Sequence, residues 1–293
     1  MNQTHSQHTP VLVETVVQLL TPCLAGLIVD GTAGQGGHTQ ALLEAGAYHV
    51  LAIDIDPNAV LNLRTRFAKN PRVSVAHASY DDFSVQLAPN VTKRTTGTLL
   101  DLGVSSNQLD DASRGFSFRL DGAIDMRFNP TVGRPASQLV NRMPEHDLET
   151  LLRDLGDERR ARAIARRIVA RRPLQNTTEL ASSVASVFPN RGRIHPATRT
   201  FQALRIATND ELKTVAQGLN TARHLLKDGG RLVVIAFHSL EDRTVKNTFR
   251  EWAREGAGQI LTRKPVRPKQ EETRRNPRSR SARLRAFEME RQI

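Results

Sequence analysis

The residues Asp30-Gly31-Thr32-Ala33-Gly34-Gln35-Gly36-Gly37-His38 place four glycines in seven positions. So little side chain lets the backbone turn tightly, and a ligand can lie against exposed N–H groups at the start of a helix. Two phosphate-binding readings are disfavoured. A dinucleotide fingerprint would need glycine where Thr39 stands, and a Walker A loop would need a lysine where His38 follows Gly37. A second apolar run ends Ala52-Ile53-Asp54-Ile55-Asp56-Pro57. A carboxylate at such a strand end can accept both hydroxyls of a ribose. Asp54 continues the apolar run and is the first choice, with Asp56 second. Tyr80 follows the third run, where its ring could lie against an adenine, and Asp101 ends the fourth. Loop, acid, ring and acid at successive strand ends suit S-adenosylmethionine, with NAD as the alternative.

These groups need a scaffold that delivers strand ends to one edge. The spacing predicts strands at 27–30, 49–54, 73–77 and 98–102, with helices at 11–20, 39–45 and 57–68 between them. Strands alternating with helices imply a parallel, doubly wound α/β sheet. The alternation stops near Asn107, and helical patterns follow at 145–155, 158–172, 178–187 and 197–207. This reads as a helical insertion over 107–205, about the size of a small domain. It divides a Rossmann-like domain into parts 1–106 and 206–293. In the second part a helix over 210–227 stops at Gly229-Gly230, and 231–237 is the strongest strand pattern in the chain. A helix over 240–254 follows. The runs 260–263 and 282–287 suggest a closing pair of strands, joined by a basic surface loop over 264–281.

The chain has 42 Lys and Arg against 30 Asp and Glu, a net charge of +12. Such a field attracts polyanions, nucleic acid or an acidic membrane surface. Cys23 is the single cysteine, which rules out an internal disulfide and a cysteine-built metal site. The histidines are scattered, and no metal site is expected. No apolar run approaches the ~18 residues of a membrane span, and Met1 to Pro10 lacks a signal core. A cytoplasmic protein is expected, without a membrane partner.

Longer motifs sharpen the reading. They include His8-Thr-Pro-Val-Leu12, the glycine loop through His38, Leu100-Asp-Leu-Gly-Val-Ser-Ser106, Gln108-Leu-Asp-Asp111 and Arg114-Gly-Phe-Ser-Phe118. Asp125-Met-Arg127, His195-Pro-Ala-Thr-Arg-Thr-Phe-Gln202, Phe237-His-Ser-Leu-Glu-Asp-Arg243 and Asn276-Pro-Arg-Ser-Arg-Ser281 follow. Over nearly its whole length the chain resembles the bacterial small-subunit ribosomal RNA cytosine-N4 methyltransferases, the MraW family. The resemblance implies methylation of the exocyclic N4 of one cytidine in the decoding region of 16S ribosomal RNA. The substrate would be an assembled or late-assembly 30S subunit, and a homodimer is compatible with it. It also implies that S-adenosylmethionine is held by Gly36, Gly37, His38, Asp54, Tyr80, Asp101 and Gln108. A Phe is common in the family where Tyr80 stands, and the spacer before Asn276 is short beside some relatives.

For that chemistry the cytosine amine is a poor nucleophile, so positioning, exclusion of water and an oxygen acceptor beside N4 matter most. Many amino-methyltransferases carry Pro-Pro and an aromatic residue after the fourth strand. This chain reads Asp101-Leu-Gly-Val-Ser105-Ser106, where Asp101, Ser105 and Ser106 offer oxygens. Asp101 is expected to belong chiefly to the cofactor site, with a second role at N4 left open and Ser105 a further catalytic candidate. His238 is expected to help hold the target base, while Ser239 with Asp242 three residues on resembles a helix-capping pair. Seven arginines over 159–172, together with Arg278 and Arg280, are phosphate candidates. Phe116 and Phe118 could stack on bases or belong to the core. Protein, DNA or a small molecule as methyl acceptor, and an RNA-binding role without catalysis, stay open at this stage.

Overall fold

The computed structural model describes residues 10–82, 94–189 and 195–290. The chain forms two compact units, Met1–Gly103 with Leu212–Ile293, and Val104–Glu211.

The first unit is built on a seven-stranded sheet. Its strands are β1 (Leu27–Asp30), β2 (His49–Asp54), β3 (Val73–His77), β4 (Thr95–Asp101), β5 (Leu226–Ala236), β6 (Gly258–Ile260) and β7 (Arg283–Met289). They lie in the order β3-β2-β1-β4-β5-β7-β6. The first five are parallel, and β7 runs antiparallel to β5 and to β6. Chain order reverses at β1, which has β2 on one side and β4 on the other. Ligands of open α/β sheets bind at the carboxyl ends of the strands flanking such a reversal. Asp30 and Asp101 stand there as the last residues of β1 and β4.

Burial on both faces explains why the central strands are apolar runs rather than alternations. On β5, Val233 and Ile235 join one core with Val16, Leu42 and Leu63. The intervening Leu232 and Val234 join the other, with Leu219, Phe249 and Trp252. Successive side chains of a strand point to opposite faces, so one segment serves both layers. Rings of Phe249, Trp252 and Phe287 close the second core at centroid distances of 5.3–5.7 Å.

Several boundaries differ from expectation for local reasons. The first helix is Val13–Leu20 because Leu12 adopts a left-handed φ of 54°. The helix expected over 210–227 is Glu211–Leu225, and the strand expected from 231 already begins at Leu226. The β4–β5 register shifts between Thr95 and Gly97, which accommodates the added residues. The segment 264–281 is more than a loop: it holds the helix Gln270–Arg275 and a 3₁₀ turn, Pro277–Ser281.

The second unit is helical, with a core of its own that includes Val140, Leu148, Leu152, Ile164, Ile168, Leu180 and Leu204. It starts three residues before and ends six after the 107–205 boundaries read from sequence. Two further helices, Ser106–Asp110 and Ala136–Arg142, lie where no helix was expected.

Candidate active site

The glycine loop is tied down on both sides. Gly31 N–H donates to Leu99 O on β4 (2.9 Å), and Ala33 N–H donates to Ile53 O on β2 (2.8 Å). Asp101 N–H donates to the Thr32 hydroxyl at 2.6 Å, joining the ends of β1 and β4. Gly36, with φ 75°, opens the helix Gly37–Glu44, which no side chain caps. A Cβ on Gly36 would come within 2.6 Å of the Phe67 ring, and one on Gly37 within 2.9 Å of Pro10. Neither position has room for a larger residue.

Asp54 sits where its spacing placed it, at the end of β2. Its Oδ2 accepts Gly34 N–H at 2.7 Å and its Oδ1 accepts Asp56 N–H at 2.8 Å. Burial pushes its pKa up to about 6, against the lowering effect of those two bonds. Each oxygen keeps a lone pair for a further donor. Asp56, the second choice, caps the next helix by accepting Asn58 N–H at 3.0 Å.

Next to this lies a buried polar cluster. Asp30 Oδ2 accepts the Thr39 hydroxyl at 2.7 Å, while its Oδ1 is buried without a hydrogen bond. His38 Nε2 lies 3.4 Å from Asp101 Oδ2. Both His38 nitrogens and Asp101 Oδ1 are buried and outside hydrogen-bond geometry. Burial alone would lower the His38 pKa. Asp101, then Asp30 and Glu272, outweigh burial and raise it. Burial raises the Asp30 pKa against the pull of His38 and Thr39. Such concentrations of buried, unsatisfied polar atoms are rare outside functional sites. They suit a ligand that brings donors and positive charge.

Tyr80 packs over the helix Glu211–Leu225, where a Cβ on Gly218 would overlap its ring. Its Cβ also lies beside Gly31, so the residue borders the loop.

Other sequence candidates have structural employment. In the second unit, Ser105 Oγ accepts Gln108 N–H at 3.2 Å and Gln108 Oε1 accepts Ser105 N–H at 3.0 Å, a reciprocal capping box. One expected catalytic residue and one expected cofactor residue are therefore bonded to each other. The cap expected at Ser239 lies one residue earlier. His238 Nδ1 accepts Glu241 N–H at 3.3 Å, and Glu241 Oε2 accepts the N–H groups of Phe237 and His238. His238 Nε2 lies 3.1 Å from Glu241 Oε1. Both ring nitrogens thus face Glu241, so His238 caps the helix that follows β5. The +3 spacing of a glutamate was the signal for it.

Three of the seven arginines over 159–172 are also engaged. Arg160 donates to Val187 O and covers Phe188, Arg167 donates to Ser186, and Arg172 donates to Val140 O and Met143 O. Arg159, Arg162, Arg166 and Arg171 are exposed. Phe116 is buried, and Phe118 stacks on His195 at 4.5 Å and meets Phe201 edge-on. Phe116 therefore serves the core of the second unit rather than a base.

The sequence profile of the MraW methylase family matches residues 5–290. The chain belongs to the MraW methylase family. Full-length relatives agree. The ribosomal RNA small subunit methyltransferase H of Thermomicrobium roseum is 48% identical over 96% of this chain and 93% of its own length. Proteins of the same name from Coprothermobacter proteolyticus (46%; 96% and 95%) and Syntrophobacter fumaroxidans (45%; 96% and 96%) are similarly close. Among solved structures, an rRNA methylase from Streptococcus thermophilus aligns with a TM-score of 0.46 at 10% identity over 95% of this chain and 96% of that one, a likeness too low to bear on function.

Proposed function

We propose that this chain methylates the exocyclic N4 of a cytidine in the decoding region of small-subunit 16S ribosomal RNA, with S-adenosylmethionine as donor. The relatives' shared name supports small-subunit ribosomal RNA as the substrate class. The observation that carries the reading is the buried Asp30–His38–Asp101 cluster beside the glycine loop, with unsatisfied atoms on all three side chains.

Gly36, Gly37, His38, Asp54, Tyr80 and Asp101 would hold the cofactor, with Asp54 toward the ribose. Gln108, the remaining cofactor candidate, belongs to the second unit. When bound, S-adenosylmethionine supplies a methyl group activated by its sulfonium. The chain's own work is to orient the amine, exclude water and receive a proton. Asp101 would do the last: its Oδ1 is buried without a hydrogen bond, and it ends β4 beside the glycine loop. Ser105 holds the turn that follows rather than the proton. The exposed Arg159, Arg162, Arg166 and Arg171 would bind RNA phosphates from the helical unit, as guanidinium groups commonly do. An assembled or late-assembly 30S subunit, and hence the cytoplasm, is the setting this substrate implies.

Mass mapping of small-subunit RNA methylation with and without the protein tests the target. The expected result is one N4-methylcytidine gained; methylation of another atom, or none, refutes it. Asp101→Asn should bind cofactor within a few-fold of native yet lose turnover by about 10²-fold or more, the usual scale for a lost proton acceptor. Equal loss of cofactor affinity would make Asp101 a binding residue alone.

A further inference from the structure

The segment 263–281 is a fastened arch. Val266 and Leu284 exchange backbone hydrogen bonds at 2.9 and 2.8 Å. The helix Gln270–Arg275 follows, and from it Glu272 Oε1 accepts the N–H of Leu12 at 2.7 Å. The arch closes on Ser279, which is fully buried and donates its hydroxyl to Asn276 O at 2.7 Å. Arg263, Lys264, Arg267, Lys269, Arg274 and Arg280 are exposed along it. Its two acids are both occupied, Glu271 by Arg275 at 2.6 Å and Glu272 by Leu12. The fastening point lies beside the candidate active site. Leu12 lies two residues after Pro10, which abuts Gly37, and the Glu272 charge helps raise the His38 pKa.

We propose that residues 263–281 form a phosphate-binding tract of the catalytic unit, gripping the RNA backbone close to the target nucleotide. The proposal rests on the reading that RNA is the substrate, and it adds where on the catalytic unit the strand is held. A row of cations on a segment pinned at three points is already ordered, so binding a polyanion there costs little further chain entropy. Its cations sit on the same unit as the methyl-donor site, so the grip and the chemistry share one rigid support. The two acids being internally satisfied leaves the arch with a net positive outer face, suited to phosphates rather than to a partner of mixed charge.

The test compares the full-length protein with Arg267→Ala/Arg274→Ala/Arg280→Ala. Affinity for in vitro transcribed small-subunit ribosomal RNA is measured by fluorescence anisotropy over a salt series, and S-adenosylmethionine affinity by calorimetry. Losing three phosphate contacts should lower the slope of log K against log salt by about 2–3 and weaken RNA binding about 10- to 100-fold at moderate salt, with cofactor affinity within twofold of native. The triple Lys variant at the same positions should retain the native slope. If wild type methylates RNA and the alanine variant keeps the native slope and affinity, the arch does not hold RNA. A lysine variant as weak as the alanine variant would overturn the electrostatic grip. Loss of binding to polyglutamate but not to RNA would assign the arch to an acidic protein instead. Absence of methylation by the wild type on any form of small-subunit RNA would count against the function itself, a different failure.

Discussion

Replacing Asp54 by Asn should separate cofactor affinity from stability. The carboxylate accepts one backbone N–H on each oxygen, from Gly34 and Asp56. An amide turns one of those acceptors into a donor and leaves a backbone N–H facing it, at a cost of about 1–3 kcal/mol. Against this stands the burial that raises the carboxyl pKa from 3.8 to about 6. At neutral pH that corresponds to at most about 3 kcal/mol of unfavourable ionisation, which the amide relieves. The two nearly offset, so the midpoint of unfolding should move little. Cofactor binding has no such offset. Ribose hydroxyls donating to a charged acceptor contribute about 1.5–3 kcal/mol, so affinity should fall about 10- to 150-fold. The pH dependence follows from the same group. Its folded pKa lies above the unfolded value, so its contribution to stability is fully present below pH 3.8 and is lost as pH rises through about 6. Cofactor binding runs the other way, because the ligand prefers the carboxylate. The wild-type Kd should be flat above pH 7 and rise about tenfold per pH unit well below 6, while the Asn variant stays flat. Calorimetric titration of S-adenosylmethionine from pH 5 to 8, beside urea unfolding, reads both. A native Kd in the variant, or a pH-independent Kd in the wild type, would refute the assignment of Asp54 to the ribose.

Other perturbations follow from single contacts. Gly36→Ala must hold φ 75° and find room for a Cβ 2.6 Å from Phe67, so it should lose about 1–2 kcal/mol or more in urea unfolding and bind cofactor more weakly. Arg285→Ala leaves the partly buried Asp242 without the guanidinium that bonds it at 2.6 Å, and should cost about 3–5 kcal/mol, read as a lower urea midpoint at unchanged slope. Glu272→Ala unpairs the Leu12 N–H and should weaken cofactor binding, while Arg275→Ala on the same helix, whose partner Glu271 is exposed, should leave it unchanged.

What the sequence disclosed was local. The run Val73–His77 forms the strand read from it, and Asp30, Asp54 and Asp101 end β1, β2 and β4 because apolar runs buried on both faces terminate where the first charge appears. What it hid was nonlocal. Nothing in an arginine's identity separates Arg162, which is exposed, from Arg172, which caps carbonyls 29 and 32 residues away. Serine outranks histidine in cap preference, so Ser239 drew the assignment that Glu241 gives to His238. The left-handed Leu12 carries no composition signal, because its conformation comes with a hydrogen bond from 260 residues along the chain. The arch did carry a faint one: acids at the start and arginines at the end of Gln270–Arg275 match a helix dipole.

The split of the catalytic unit has a consequence for synthesis. β4 pairs with β5, but the whole helical unit lies between them in the chain. At about 5–20 residues per second, the roughly 125 residues from Asp101 to Leu226 take on the order of 6–25 s to appear. During that interval β4 presents an open edge on the nascent chain, while the helical unit, with its own core, has all it needs to fold first. The Glu272–Leu12 bond forms later still, so a segment made after β5 fastens one made before β1. A chain halted between β4 and β5 would therefore carry the whole helical unit joined to a sheet whose β4 edge is still unpaired by β5.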